Sequence, residues 1–275
     1  MDNRPIGVFD SGLGGLSAVR HLQDILPGED IIYFGDTGRV PYGTRSRDTI
    51  RRYAYEDCRL LLDKDVKYII AACGTVSSVA PDLLASLPVP AIGVVEPTAK
   101  AAAAATVNGR IAILGTAATI RSASFEKALL AINPNYSITA TACPLFVPLV
   151  ENGWIDIDDP VAVPMVRRYL AAAKATRVDT IILGCTHFPL LAPIIRREMG
   201  DTVTLIDSGC ETATLCAEQL RASDSLSEQA VGNTHFYVSD QPEGFSQVAE
   251  IFLGHSVENT VEQIQPELPE TKGSL

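Results

Sequence analysis

YIIAACGTVSSVAP (residues 68–81) and TIILGCTHFPLLAP (residues 180–193) share one layout. In each, a β-branched apolar run ends in a small residue and a cysteine, a threonine follows within two positions, and a segment with a proline comes next. Cys73 and Cys185 are therefore expected at equivalent strand ends. Open α/β sheets bind ligands beyond the carboxyl ends of their strands. The two matched thiols indicate chemistry on both sides of one small molecule.

Short apolar runs alternate with longer helical patterns along most of the chain. The runs of four to seven residues predict strands, and amphipathic segments such as residues 47–64 and 161–176 predict the helices between them. Continuous apolar strands separated by helices are typical of parallel sheets that are covered on both faces. The sequence therefore predicts an α/β protein with mostly parallel sheets flanked by helices.

The strand pattern occurs twice. Three pairs of segments match in the same order and at similar spacing: Ile6 with Ile111, Cys73 with Cys185, and Val95-Glu96-Pro97 with Ile206-Asp207-Ser208. We predict two pseudo-symmetric lobes with the active site in the cleft between them. The first comprises residues 1–96 and 208–255, the second residues 97–207, and residues 256–275 form a polar C-terminal tail.

Composition and charge exclude several classes of protein. The 275 residues have a net charge of −11, which argues against nucleic-acid binding through a general basic field. No apolar run approaches the ~18–20 residues that span a bilayer, and the N-terminus lacks the features of a signal peptide. We therefore expect no membrane association and a cytoplasmic protein with six reduced cysteines. The four histidines have no metal-binding spacing, so no metal site is expected.

A glycine-rich turn, Asp10-Ser11-Gly12-Leu13-Gly14-Gly15, follows the first predicted strand. Glycines permit a tight turn before a helix whose N–H groups can bind an anion. The dinucleotide motif G-x-G-x-x-G is incomplete because Ser17 occupies its last position, which argues against NAD. Asp10 and Ser11 are then either a helix cap or a carboxylate and a hydroxyl beside the cleft.

The turns after the two matched strands contain small and polar side chains. Residues 74–78 follow Cys73, and residues 186–187 follow Cys185. A histidine two residues from a cysteine can tune a thiol or transfer a proton, although a structural role at a helix start is the alternative. Further candidates, each weak alone, lie in predicted loops: Tyr42, Gly43 and Glu151.

Two thiols across a cleft suit the inversion of a stereocentre next to a carboxylate. One thiolate removes a proton from one face, the other thiol returns a proton to the opposite face, and their roles exchange with direction. A free cysteine has a pKa near 8.5, so its neighbours must tune it. Asp10 beside Cys73, with Glu151 or His187 beside Cys185, is a consistent assignment. Hydroxyls are expected to hold the substrate carboxylate, together with backbone amides: Ser11, Thr75 and Thr186.

Five segments together resemble the cofactor-independent glutamate racemases over about residues 5–255: FDSGLGGLSAVR, YFGDTGRVPYG, AACGT, ACPLFVPLVENG and LGCTHFPLL. The resemblance implies that Cys73 and Cys185 are the catalytic bases and that Asp10, Glu151 and His187 assist them. It also implies a set of substrate contacts: Asp10, Ser11, Tyr42, Gly43, Gly74, Thr75, Thr119 and Thr186. Such enzymes make D-glutamate for peptidoglycan, use no cofactor and commonly form homodimers.

The chain departs from this family at one position. The residue after the first cysteine is usually asparagine, whereas here it is Gly74. The missing amide would normally bind substrate, a contact worth about 0.5–1.5 kcal/mol. Substrate preference is therefore less firmly predicted than the type of reaction.

Three other functions remain open. The chain could racemise another acidic amino acid such as aspartate. It could be a hydrolase with Cys185 as nucleophile and His187 as base, which leaves Cys73 unused and predicts a covalent acyl intermediate. It could also be a non-catalytic glutamate-binding protein, which would not exchange the α-proton.

Overall fold

The computed structural model describes residues 1–257 and 260–266. Its strands are β1 (Ile6–Asp10), β2 (Ile31–Gly35), β3 (Tyr68–Ala71), β4 (Ala91–Gly93), β5 (Arg110–Gly115), β6 (Ser137–Ala142), β7 (Thr180–Leu183), β8 (Thr204–Asp207), β9 (Thr234–Val238) and β10 (Val261–Gln263). They form two sheets in the order β10-β9-β2-β1-β3-β4 and β6-β5-β7-β8. Every pairing in these sheets is parallel, so the predicted fold class is confirmed.

Helices follow most strands and cover the sheets. They are α1 (Leu16–Ile25), α2 (Arg47–Leu62), α3 (Gly74–Val79), α4 (Pro81–Ala85), α5 (Val95–Ala105), α6 (Ala117–Ser122), α7 (Ser124–Ile132), α8 (Phe146–Glu151), α9 (Ala162–Thr176), α10 (Ala192–Met199), α11 (Ser208–Ala222) and α12 (Pro242–Leu253). Strands β1, β2, β3 and β7 are buried along their whole length because helices pack on both faces.

The two sheets repeat one arrangement, in which β2-β1-β3-β4 corresponds to β6-β5-β7-β8. Ile6 pairs with Tyr68 and Ile111 pairs with Thr180, so the first two sequence matches agree with the strand register.

The third sequence match is wrong. Gly93 lies beside Ala71 and Asp207 lies beside Leu183, so the register equates Gly93 with Asp207 and not Val95 with Ile206. Residues 95–97 begin α5, whereas Ile206 is still in a strand, because the turn between strand and helix is longer after β4 than after β8.

The chain returns to the first sheet after α11. Strand β9 pairs with β2, and α12 packs against α1. The polar tail expected from residue 256 is partly structured, since Val257 is buried and β10 pairs with β9. An edge strand offers unpaired backbone groups, and β10 satisfies those of β9. The rest of the predicted tail, residues 258–259 and 267–275, lies outside the described residues, and the lobe boundaries stay predictions.

The largest apolar core extends across both lobes. It includes Val8 of the first sheet and Leu114 of the second, and α1 packs along α11 between them. Cys185 belongs to this core, whereas Cys73 lies in a separate cluster on the other face of the first sheet. The fold thus supports each cysteine from a different packed core.

Candidate active site

A cavity of about 410 Å³ lies where the carboxyl ends of the two sheets face each other. Residues that follow β1, β2 and β3 line it from one lobe, and residues that follow β5, β6 and β7 line it from the other. This volume lies within the range of small-molecule binding sites. The cleft predicted between the lobes is present.

All but one of the predicted site residues line this cavity: Asp10, Ser11, Tyr42, Gly43, Cys73, Gly74, Thr75, Glu151, Cys185, Thr186 and His187. Thr119 is the exception. It is buried behind the cavity wall, with its Oγ1 3.0 Å from Oγ1 of Thr116, and Thr116 is the threonine that lines the cavity. The reason is local, because Thr116 stands at the strand end as the N-cap of α6, whereas Thr119 lies within that helix.

Cys73 caps the N-terminus of α3 directly after β3. Its thiol is nearly buried and donates a hydrogen bond to Oγ of Ser11 at 3.4 Å. Burial, together with the negative charge of Asp10, raises the pKa of Cys73 to about 12, although hydrogen bonding with Ser11 and with the backbone opposes the rise. Cys73 is therefore a neutral thiol at neutral pH, which suits it to donate a proton.

Asp10 ends β1 and is buried beside this thiol. Burial raises the pKa of its carboxyl, while the charge of His187 and backbone N–H groups that include that of Gly12 lower it. The Gly12 N–H donates to Oδ2 at 3.0 Å. The carboxylate thus faces groups from both lobes.

Cys185, His187 and Glu151 form a chain of polar contacts in the second lobe. The Cys185 sulfur lies 3.9 Å from Nδ1 of His187, and Nε2 of His187 lies 3.0 Å from Oε1 of Glu151. Burial by itself would lower the pKa of His187, but its hydrogen bonds with Cys185 and Glu151 and their negative charges raise it to about 10. The imidazole can therefore hold a proton next to the Cys185 sulfur.

Aromatic contacts and one glycine fix the position of His187. Phe252 on α12 packs edge-on against the imidazole with ring centroids 5.4 Å apart. Phe146 on α8 packs edge-on against Phe188 at 4.9 Å, which joins the helix that contains Glu151 to the residue after His187. A Cβ on Gly14 would lie 2.5 Å from Nδ1 of His187, so only glycine permits this close approach.

Comparison with known proteins agrees with this geometry. The family model of the Asp/Glu/hydantoin racemases matches residues 8–216. The chain belongs to the aspartate/glutamate racemase family. The family predicted from the sequence is confirmed, and so is the prediction that the chain is an isomerase.

Several relatives of this racemase carry the name glutamate racemase. The protein from Geobacter metallireducens is 48% identical over 91% of this chain and 93% of its own length. The structure of the Francisella tularensis glutamate racemase in complex with D-glutamate has a TM-score of 0.90 at 34% identity and covers 97% of this chain and 99% of that one. The Thermus thermophilus glutamate racemase, in complex with β-chloro-D-alanine, has a TM-score of 0.86 at 42% identity over 96% and 98%.

Tyr42 of this racemase lines the cavity, but its hydroxyl group binds residues behind the cavity wall. Its ring is buried, and its hydroxyl donates to the carboxylates of Asp36 and Asp57 behind the wall. Arg39 binds the same two carboxylates, at 2.5 and 2.9 Å, and also binds Glu56. This buried network holds the segment Tyr42–Thr44 against the cavity, which all three of its residues line.

Gly74 occupies a point where the two lobes touch. A Cβ at this position would lie 2.7 Å from the backbone carbonyl oxygen of Gly184. The asparagine expected from the family therefore has no room in this arrangement. The absence of a side chain lets the residue after Cys73 approach the residue before Cys185.

Sequence reasoning missed three polar residues of the cavity, and one of them is Thr44, which follows the predicted Gly43. Thr116 becomes the counterpart of Ser11 once Ile6 is matched with Ile111, so the repeat itself contains the signal. Cys143 is buried, donates to the Thr141 carbonyl at 3.5 Å and also lines the cavity. Burial and the nearby Cys185 raise its pKa.

Two features of the described residues bear on other classes of function. Within residues 1–257 and 260–266, no three side chains among His, Cys, Asp and Glu are grouped so that they could hold a metal ion. Among these residues, none of the helices has the length and apolar character of a membrane span.

Proposed function

We propose that this racemase interconverts L- and D-glutamate by proton transfer between Cys73 and Cys185. The observation that supports this most is their placement, since each follows the equivalent strand of its lobe and both line one cavity. The names of the relatives, and the D-glutamate complex of the Francisella protein, support glutamate as the substrate.

The reaction needs one base and one acid on opposite faces of the α-carbon. A thiolate takes the α-proton, and the electron pair of the C–H bond passes to the carbon and its carboxylate. The thiol on the other side then donates its proton to that carbon, which inverts it and leaves a thiolate there. In the reverse direction the two sulfurs exchange roles, and each contributes about 10²–10⁴-fold as a general acid or base.

The surroundings of the sulfurs suggest how the cycle starts. Cys73, with its pKa raised to about 12, begins as the neutral proton donor. Cys185 lies next to His187, which can accept its proton and is oriented by Glu151. The first abstraction is therefore assigned to Cys185, and Asp10 favours the return of a proton to Cys73.

Hydroxyls and backbone N–H groups are proposed to hold the substrate carboxylates. Five serine and threonine residues line the cavity: Ser11, Thr44, Thr75, Thr116 and Thr186. Fixed dipoles that are already oriented stabilise the charge that develops on an α-carboxylate during deprotonation.

We further propose that the enzyme acts in the cytoplasm, supplies D-glutamate for peptidoglycan and forms a homodimer. All six cysteines are free thiols, which suits a reducing compartment. Large apolar side chains exposed along one stretch of the second lobe suit a contact between copies: Leu145, Trp154, Ile157 and Val161. Light scattering of the purified chain tests the dimer.

The test of the reaction is incubation with L-glutamate and, separately, D-glutamate in D₂O. Optical rotation and α-deuterium incorporation are followed for the wild type, Cys73→Ser and Cys185→Ser. We expect loss of rotation with α-deuteration, reduced by about 10²-fold or more in both variants. Cys143→Ser is the matched control, because it alters a third thiol of the same cavity and should retain exchange.

Other outcomes distinguish the alternatives. Exchange with aspartate but not glutamate would identify a different acidic substrate. A trapped acyl-enzyme at Cys185, with Cys73→Ser fully active, would indicate hydrolysis, which the Cys185-His187-Glu151 geometry also suits. Binding of glutamate without exchange would indicate a sensor.

A further inference from the structure

A buried cluster of three acidic side chains lies behind the wall of the active-site cavity. Asp36 follows β2, Glu56 and Asp57 lie on α2, and all three are buried. Arg39 binds each of them, and the hydroxyl group of Tyr42 contacts both Asp36 and Asp57. The three acidic groups therefore share one closely bound guanidinium group.

The cluster has more acidic groups than close cations. A second cation contacts it weakly, since Nε of Arg52 lies 3.9 Å from Oε1 of Glu56 and the Arg52 side chain is 62% exposed. Among the described residues, this Oε1 and Oδ1 of Asp36 have no hydrogen-bond partner. The adjacent thiol of Cys58 adds no charge, because burial and the negative charge of Asp57 raise its pKa. Buried carboxylates that lack partners are unfavourable, so the cluster is expected to hold an additional proton.

The contacts of Tyr42 indicate where that proton lies. The hydroxyl group has one hydrogen atom but contacts two carboxyl oxygens, Oδ2 of Asp36 and Oδ2 of Asp57. Oδ2 of Asp36 also accepts from Nε of Arg39, which identifies it as an ionised oxygen and the acceptor of the tyrosine hydrogen. Burial and the negative charges of Asp57 and Asp36 raise the pKa of Tyr42, so the tyrosine keeps this hydrogen. The contact with Asp57 then needs a hydrogen from Asp57 itself.

Each oxygen of Asp57 has the partner that a neutral carboxylic acid needs. Oδ1 accepts from Nη2 of Arg39 at 2.9 Å, as a carbonyl oxygen does. Oδ2 lies 3.0 Å from the hydroxyl oxygen of Tyr42, which can accept a hydrogen. Burial and the charges of Asp36 and Glu56 raise the pKa of Asp57 well above its usual range, although Arg39 and the hydrogen bond with Tyr42 lower it. A hydrogen on Oδ1 of Asp36 or Oε1 of Glu56 would have no acceptor among the described residues.

The cluster supports one part of the active-site wall. Tyr42 begins the segment Tyr42–Thr44, whose residues all line the cavity. A Cβ on Gly43 would lie 3.6 Å from Oγ1 of Thr116 and 3.9 Å from Oγ1 of Thr75, so the segment lies beside hydroxyl groups of both lobes. A displacement of Tyr42 would therefore change the shape of the cavity next to these hydroxyl groups.

We propose that Asp57 is a neutral carboxylic acid at neutral pH and that it positions the segment Tyr42–Thr44 by donating a hydrogen bond to Tyr42. Asp57 is a positioning residue, since it acts on the cavity through Tyr42. The Tyr42 hydroxyl group accepts from Asp57 and donates to Asp36, so one group satisfies both contacts. The charge state of Asp57 depends on the fold alone, whereas its effect on the substrate rests on the proposed function.

The test of the charge state is denaturant unfolding of the full chain between pH 5 and 7, for the wild type and Asp57→Asn. Asparagine can keep both contacts, because its Oδ1 accepts from Arg39 and its Nδ2 donates to Tyr42. The folded wild type holds a proton that the unfolded chain releases, since aspartate in an unfolded chain has a pKa of about 3.9. The wild type should therefore lose stability relative to Asp57→Asn as the pH rises, and the ratio of their unfolding constants should change about tenfold per pH unit. Asp57→Asn should be at least as stable as the wild type at pH 7.

Asp63→Asn is the matched control. Asp63 caps the C-terminus of the same helix, and its side chain is 64% exposed. An exposed carboxylate is ionised in the folded and the unfolded chain alike, so the ratio of unfolding constants for this variant should stay constant between pH 5 and 7. A constant ratio for Asp57→Asn as well would overturn the proposal. A variant Asp57→Asn that is less stable than the wild type at pH 7 would overturn it too.

Amide hydrogen exchange and KM measure the positioning role. The N–H of Arg45 donates to the carbonyl oxygen of Tyr42 at 2.9 Å, so its exchange reports on the segment. Asp57→Ala should accelerate this exchange about tenfold and raise KM for glutamate about 2–10-fold, and Asp57→Asn should restore most of both. Equal effects of the two variants would show that Asp57 does not position the segment. Unfolding and hydrogen exchange need no substrate, so they remain informative if the proposed racemisation fails.

Discussion

Replacement of Gly74 by alanine tests how closely the lobes must approach at the active site. The new Cβ would lie 2.7 Å from the carbonyl oxygen of Gly184, whereas ordinary contacts begin at 3.4 Å, so the two backbones must separate by about 0.7 Å. Overpacking of this kind costs about 1–3 kcal/mol. Removal of a helical glycine offsets about 0.5–1 kcal/mol of that. We expect Gly74→Ala to lose about 1 kcal/mol of unfolding free energy, within a range of about 0–2.5 kcal/mol.

The same displacement affects catalysis, because Gly74 and Gly184 directly adjoin the two cysteines. A misplacement of about 1 Å can cost about 10²-fold in rate, so a shift of about 0.7 Å predicts a loss in kcat/KM of about tenfold or more. Denaturant unfolding and the D₂O exchange assay measure the two effects.

Gly244→Ala is the matched control for this substitution. Gly244 also lies in the first turn of a helix, but its Cβ would meet only Gln241 atoms at 3.6 and 3.8 Å. The unfolding free energy of Gly244→Ala should be unchanged or higher by up to about 1 kcal/mol. If Gly74→Ala behaved like this control in both assays, the close approach would not constrain the lobes. An increase of activity in Gly74→Asn would refute the reasoning equally.

Three further predictions concern single side chains. The raised pKa of His187 stabilises the fold fully below about pH 6.5, and this contribution is lost as the pH rises to about 10. Glu151→Gln should make thermal stability fall less over that pH range and should slow α-proton exchange about tenfold. An unchanged pH profile of thermal stability would exclude the contact between His187 and Glu151. Tyr42→Phe should lower the unfolding free energy in denaturant by about 1–3 kcal/mol, because it removes a hydrogen-bond donor from the buried carboxylates of Asp36 and Asp57. A large rise in KM would instead indicate that the Tyr42 hydroxyl binds the substrate. Thr116→Val should raise KM for glutamate about 2–10-fold, whereas Thr119→Val should leave it unchanged. A larger rise in KM for Thr119→Val than for Thr116→Val would indicate that Thr119 is the substrate contact.

The sequence predicts the repeat well because strand ends are local features. The match between the segments around Cys73 and Cys185 is enough to place both at corresponding edges of two sheets. A sequence motif shows that threonines lie nearby but not which of them is at the strand end. The sequence therefore predicts Thr119 as a site residue, although Thr116 is the threonine at the strand end. The Asn-to-Gly departure at position 74 is visible as a missing amide, but its cause lies in Gly184, which is distant in the sequence.

Long-range packing explains the other omissions. No local pattern around residue 252 indicates contact with His187, since α12 reaches it only after the chain returns to the first sheet. A second cavity, which both Arg45 and Arg121 line, is not predicted either, because these two arginines are far apart in the sequence. Both depend on how the lobes are assembled.

The edge-on packing of Phe252 on His187 also bears on the order in which the protein is made. A ribosome completes Cys185, His187 and every strand of the second sheet before it adds the helix that holds the imidazole. A nascent chain that ends before residue 252 therefore contains both thiols but an unsupported histidine. Full turnover is expected only once α12 has been synthesised and has docked against His187.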